Sequence, residues 1–282
     1  MESKKSSGIL VVILVLVVIA LSGYIAYDKL LVKTDNSNKN NAKYEKVVEI
    51  TNKDSILFYQ GLIDNMFYNL DQNIEQGVIF SSDKVLLSDL TLEQKLKLAY
   101  QNVDYRSCVL AKVDGTEDVS ENCMKKAYNK LFNSGYKSGD FKTDLLDVKY
   151  DSKITNEYKY IVKKTPTDFV GEYEKMYHTN NSVKKYALGK VVIEENVYFV
   201  KFNIENSSEK MRVTFYTDAS LKTELKDIPS FVYNLNTSDE DLEDYTKKYI
   251  EKYKEYAPKY KVTFKLNEET NEYNFYSSER IK

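Results

Sequence analysis

An α+β fold behind an N-terminal transmembrane helix is what this sequence predicts, and three observations carry that expectation. Residues 6–27 contain no charged side chain. Beyond them, apolar residues recur three and four apart through the first half of the chain, and alternate with polar ones at period two through the second half. Helices and strands therefore fall in separate blocks: a helical first half, then an antiparallel β-meander with one late helix, rather than the regular alternation that builds a parallel sheet.

Gly8 to Tyr27 supplies 20 residues, which at ~1.5 Å per residue spans a ~30 Å hydrocarbon layer. Its Val, Ile and Leu content costs nothing in lipid, and Tyr24 and Tyr27 stand at the end where aromatic rings favour the interface. The competing expectation is a cleaved signal peptide, with Lys4 and Lys5 as its basic start and Ala20-Leu21-Ser22 as the cleavage site; the apolar run, however, continues past that site through Ile25 and Ala26. Leu21-Ser22-Gly23 opens like a lipobox, but Tyr24 stands where a lipid-bearing cysteine is required. Lys4 and Lys5 face Lys29 and Lys33 across the span, and a short basic tail is the usual retained end, so the N-terminus is expected inside and the domain outside. The expected organisation is an anchor over 1–33, a polar linker over 34–43 (TDNSNKNNAK) and an extracytoplasmic domain over 44–282.

Within the domain, Ile56, Ile63, Phe67 and Leu70 predict a helix over about 54–72, interrupted by Gly61. Thr91-Leu92-Glu93-Gln94 fits a capping box, followed by a stripe of Leu92, Leu96, Ala99 and Val103. Ser120 caps a third helix with Met124, Tyr128 and Leu131 inward and Gly135 past its end. Strands follow at Tyr158, Tyr160 and Val162; at Tyr198, Val200, Phe202 and Ile204; and at Met211, Val213 and Phe215. A helix over about 239–256 precedes a strand in which Tyr260, Val262, Phe264 and Leu266 alternate with Lys261, Thr263 and Lys265, giving it one wet face; Asn267 to Asn271 then turns the chain into a last strand around 273–276.

Composition narrows the function. The 41 basic and 43 acidic residues are mixed along the chain, for a net charge of -2, so no long single-sign patch is visible. Arg106, Arg212 and Arg280 are the only arginines, which argues against nucleic acid as a partner. The 25 tyrosines suggest either a sticky, carbohydrate-binding surface or the residue bias of an AT-rich genome, with the rings at core positions. The second explanation is preferred.

Cys108 and Cys123 are the only cysteines and lie 15 positions apart. A disulfide is the preferred expectation, worth ~3 kcal/mol for a loop of that size; two unpaired buried thiols are the alternative. The sole histidine, His178, lies in a polar stretch before Asn180 and Asn181, a poor base for a cysteine nucleophile. One histidine and two cysteines cannot assemble a zinc site, and no cofactor or metal is expected. Asp114, Glu117 and Asp118 lack the alternating register of a calcium loop and read as a solvated turn. Asp239, Glu240, Asp241, Glu243 and Asp244 are explained by the positive end of a helix dipole. Serine with lysine three positions on, at Ser81/Lys84, Ser134/Lys137, Ser182/Lys185 and Ser207/Lys210, occurs at chance frequency and without the companion elements of penicillin-binding enzymes.

The C-terminal run YTKKYIEKYKEYAPKYKVTF and the ending YNFYSSERIK resemble those of uncharacterised single-anchor membrane proteins of low-GC bacteria, over about 85–135 and 239–282. That resemblance implies membrane attachment and brings no activity or site residues with it. The expected function is a non-enzymatic binding, sensing or envelope role for a membrane-held ectodomain with a protein or envelope partner. The alternatives are a cell-envelope hydrolase using paired carboxylates and a cytoplasm-facing membrane adaptor.

Overall fold

A computed structural model describes residues 46–71, 74–133, 135–143, 145–151, 159–164, 171–205, 209–236 and 240–281. The expected anchor and linker lie outside the described residues. Among those described, no helix is long and apolar enough to cross a membrane. Glu45–Lys282 forms one compact unit.

Among the described residues the architecture is α+β, with five α-helices and two sheets that are antiparallel apart from one parallel pair. The first strand, β1 (Val47–Glu49), leads into α1 (Lys53–Asp64), which Asn52 caps by accepting from the Ser55 amide at 3.1 Å. The helix predicted to reach residue 72 stops at Asp64. Phe67 and Leu70 belong instead to strand β2 (Phe67–Asp71), paired with β3 (Ile74–Gly77), while Gly61 sits inside α1 without breaking it. Apolar spacing of three or four does not separate a helix from a helix followed by a strand.

After a 3-10 turn at Val78–Phe80 and β4 (Lys84–Leu86), the capping box forms as expected. Gln94 N donates to Thr91 Oγ1 at 3.2 Å and Thr91 N to Gln94 Oε1 at 2.9 Å, starting α2 (Leu92–Gln101). Leu96 and Ala99 are buried, together with Leu98, whereas Leu92 stays exposed. A single turn, α3 (Tyr105–Cys108), leads into the hairpin β5 (Val109–Ala111) and β6 (Thr116–Ser120), neither of which was expected. Ser120 then caps α4 (Glu121–Phe132), whose Met124, Tyr128 and Leu131 are buried. Asn133, at φ 70°, takes the left-handed position that closes the helix.

The first half is therefore not simply helical, and the second is not a simple meander. β7 (Phe141–Lys142), β8 (Leu146–Asp151) and β9 (Lys159–Lys164) join β5 and β6 in a separate five-stranded sheet of order β5-β6-β9-β8-β7. Tyr160 and Val162 are buried there, while Tyr158 lies outside the described residues. The larger sheet is built on a long hairpin, β10 (Glu172–Tyr186) and β11 (Lys190–Glu205). One edge of β11 is shared, its first half pairing with β14 (Lys259–Asn267) and its second half with β12 (Lys210–Tyr216), which carries β13 (Phe231–Asn234). β15 (Glu272–Ile281) and β4 complete that side, and β3 runs parallel to β10 on the other.

The late helix, α5, spans Leu242–Lys252 rather than 239–256. Asp241 is its cap, and a 3-10 turn at Lys254–Tyr256 follows it. Two apolar clusters lie on opposite faces of the large sheet. The inner one joins Val191, Ile193, Val197 and Phe199 of β11 to α1, α2, α4 and the small sheet. The outer one sets Tyr198, Val200 and Phe202 against Ile250 of α5. Strand alternation sends successive residues of β11 into the two cores. On β14, Tyr260, Val262 and Phe264 are buried as expected, but so is Thr263, so its second face is only partly wet.

Candidate functional site

The end of α1, the start of β2 and the middle of β10 converge on His178. Asp64, the last residue of α1, lies with Oδ1 2.9 Å from His178 Nε2, and Glu195 of β11 lies with Oε2 3.1 Å from Nδ1. Phe67 stacks on the imidazole, with ring centres 4.9 Å apart. Glu195 is fully buried, and its Oε1 accepts from Asn180 Nδ2 at 2.8 Å. Next to it Asn181 and Asn196 exchange hydrogen bonds of 2.7 and 3.0 Å, where β10 bulges between Asn180 and Ser182. The polar stretch that the sequence shows around His178 is thus a paired network inside the sheet.

A carboxylate at each ring nitrogen needs a proton on both, so the imidazole is held as a cation. Burial works against the charge, but the hydrogen bonds to Asp64 and Glu195, with the charges behind them, prevail and hold the pKa up to about 9. An imidazolium donating from both nitrogens has no lone pair to take a proton near neutrality, which removes His178 as a general base there.

The facing wall is made by α5. Glu243, in its first turn, accepts from Lys175 Nζ at 3.1 Å, Lys247 Nζ at 3.2 Å and Tyr177 OH at 2.8 Å. Burial pushes its carboxyl upward, but these donors outweigh it and keep the group below the usual carboxylate range. Between Glu243 and His178 runs an open groove of about 440 Å³, with Asp64, Phe67 and Met176 also on its walls. Along its floor, from His178 to Ser182, β10 pairs with no strand on its outer edge among the described residues: β3 pairs with Glu174 and Lys175, and β1 begins at Lys184. Both carboxylates of the groove, Asp64 and Glu243, are already engaged by cations.

Elsewhere the structure joins Cys108 to Cys123, with Cα atoms 5.9 Å apart. The disulfide fastens α3 to the first turn of α4. The acidic loop before α4 is less solvated than the sequence suggests. Asp114 folds back on Thr116, and Asp118 is bridged by Lys112 and Lys159 at 3.0 and 2.8 Å. Glu117 is buried, accepting from Tyr105 OH at 2.8 Å and Lys164 Nζ at 3.0 Å. In the second acidic run, Asp241 caps α5, Glu240 pairs with Lys248, Glu243 enters the groove and Asp239 lies outside the described residues. Among the described residues no group of three or more His, Cys, Asp and Glu side chains is placed to hold a metal ion. Sequence reasoning missed the His178 cluster because its partners Asp64 and Glu195 stand 114 and 17 positions away. No protein-family model, no curated protein and no solved structure matches the chain.

Proposed function

We propose that this chain is a membrane-anchored extracytoplasmic binding domain, and that the groove between His178 and Glu243 receives an extended segment of a protein partner. The observation that carries this is the outer edge of β10 from His178 to Ser182, to which no strand is paired among the described residues, beside a groove lined by charges of both signs. An extended peptide laid there gains main-chain hydrogen bonds from the strand edge, while Lys175, Lys247, Asp64 and Phe67 offer side-chain contacts that select its sequence. Binding is favoured over carboxylate-based hydrolysis because Asp64 is occupied by His178, and because the donors around Glu243 hold its carboxyl below the usual range whereas a catalytic acid needs a raised pKa and a proton to give. The Cys108–Cys123 pair favours an oxidising compartment over the cytoplasm.

Two experiments test this proposal. A photo-crosslinking side chain placed at Lys247 in intact cells is expected to trap a partner polypeptide, and the same group at the exposed Lys125 of α4 is not. Equal trapping, no trapping, or hydrolysis of envelope material that Glu243→Gln abolishes would overturn it. A membrane-impermeant thiol reagent is expected to label Cys108 and Cys123 in intact cells only after reduction; labelling that requires lysis places the domain inside.

A further inference from the structure

The charges that the sequence mixes are sorted by the sheet. On the outer face of the large sheet, the half that α5 leaves open carries Lys84, Lys184, Lys190, Lys259, Lys261 and Lys265, against Glu49, Glu194, Glu272 and Glu279. We propose that this face binds a linear polyanion rich in phosphate, centred on Lys190 and Lys265. The inference does not depend on the β10 groove, which opens at the opposite edge of the hairpin.

Placement follows from alternation. Val191 and Ile193 of β11 and Tyr260, Val262 and Phe264 of β14 point into the inner core, so their neighbours Lys190, Lys259, Lys261 and Lys265 point outward. Lys190 and Lys265 stand directly opposite each other in the β11–β14 ladder. Like charges at such a position destabilise a sheet, and four residues further along β11 the same ladder sets Glu194 against Lys261 in the ordinary way. Neither lysine of the central pair has an ion-pair partner among the described residues. Each rests on a tyrosine instead: Lys190 Nζ lies 4.6 Å from the centre of the Tyr186 ring and Lys265 Nζ 3.4 Å from that of Tyr276.

The row Tyr186, Lys190, Lys265, Tyr276 thus crosses β10, β11, β14 and β15, and sets two lysines at facing positions with no ion-pair partner among the described residues. Of the acids on this face, Glu194 is taken by Lys184 at 3.3 Å. Glu49 lies opposite Lys184, Glu279 lies between Lys84 and Lys261, and Glu272 lies opposite Asn267 at the end of the ladder. Strands stand ~4.8 Å apart and alternate residues ~6.7 Å apart along each, a lattice on which a chain of closely spaced phosphates can neutralise several lysines at once. Lysine meets phosphate as a compact charge from any direction, which suits a polymer without fixed register. Neutralising the Lys190–Lys265 pair would also relieve the repulsion that the fold carries.

The test uses the full chain in neutral detergent and fluorescently labelled linear polyphosphate. Binding is expected, weakening steeply with salt. Lys265→Glu gives Lys190 an opposite charge, so it should raise thermal stability while reducing affinity at least tenfold; this separates lost binding from lost folding. Lys190→Arg with Lys265→Arg should keep the affinity. Lys125→Glu with Lys126→Glu changes more charge on the exposed side of α4, and should cost less than threefold. No binding, or an equal loss in the α4 variant, would overturn the proposal. So would phosphatidylglycerol in the micelles displacing the polymer through the same lysines, which would assign the face to a lipid surface.

Discussion

β11 in the large sheet and β6 in the small one are both interior strands, and they are held in place by different means. Most of β11 is buried hydrocarbon, with Val197, Phe199 and Ile193 on one side and Val200 and Phe202 on the other. β6 buries only Glu117 and Val119, and its neighbourhood is fixed by charge: Lys164 and Tyr105 on Glu117, Lys112 and Lys159 on Asp118. Its hairpin with β5 leaves Leu110 and Val113 exposed to solvent, at 60% and 108%, so little apolar area holds that corner down. The Cys108–Cys123 crosslink sits beside this thinly buried corner. A fold can secure a poorly buried corner by constraining the unfolded chain rather than by adding contacts.

The largest effect should come from breaking β11. Phe202→Ala or Phe199→Ala removes a fully buried ring and should cost about 3–5 kcal/mol in chemical denaturation; a loss under 1 kcal/mol would show that the large sheet is not held by burial. Removing the disulfide, with Cys108→Ala and Cys123→Ala together, should cost about 3 kcal/mol. Amide exchange should then quicken first in β5 and β6 and last in β11, and a uniform change would erase the contrast between the two sheets.

A third effect depends on pH. The folded pKa of His178, about 9, stands above its unfolded value of about 6.5. Its contribution is therefore complete below about pH 6.5 and is lost as pH rises through 9, on the order of 3 kcal/mol. Thermal scans should show this loss between pH 6.5 and 9.5, and His178→Gln should flatten that part of the profile. The smallest effect is the cap of α2: Thr91→Ala should cost about 1 kcal/mol, with no change in exchange at β5 and β6.

Features written in consecutive residues were legible before the structure. The Thr91–Gln94 box, the Ser120 cap and the alternation of Tyr260, Val262 and Phe264 each place their determinants within a few positions. Features set by distant pairing were not. The end of α1 at Asp64 is decided by β2 finding β3, and the burial of His178 by a carboxylate brought from α1. β10 reads EYEKMYHTNNSVKKY, polar enough to pass for a loop, because around its bulge His178, Asn180 and Asn181 are satisfied by hydrogen bonds to Glu195 and Asn196 rather than by hydrocarbon. The basic sheet face was hidden for the same reason. Its lysines come from β4, β10, β11 and β14, and only the register lines them up.

The shared edge of β11 has a mechanical consequence. Near Val197, whose amide donates to the Pro258 carbonyl at 2.9 Å, the strand leaves one neighbour for the other while feeding side chains to both cores. It works as a keel, since neither core can come apart without loosening the seam on which its counterpart depends. A single protease cut at that crossing should therefore disassemble the entire domain in one step instead of shedding a stable half.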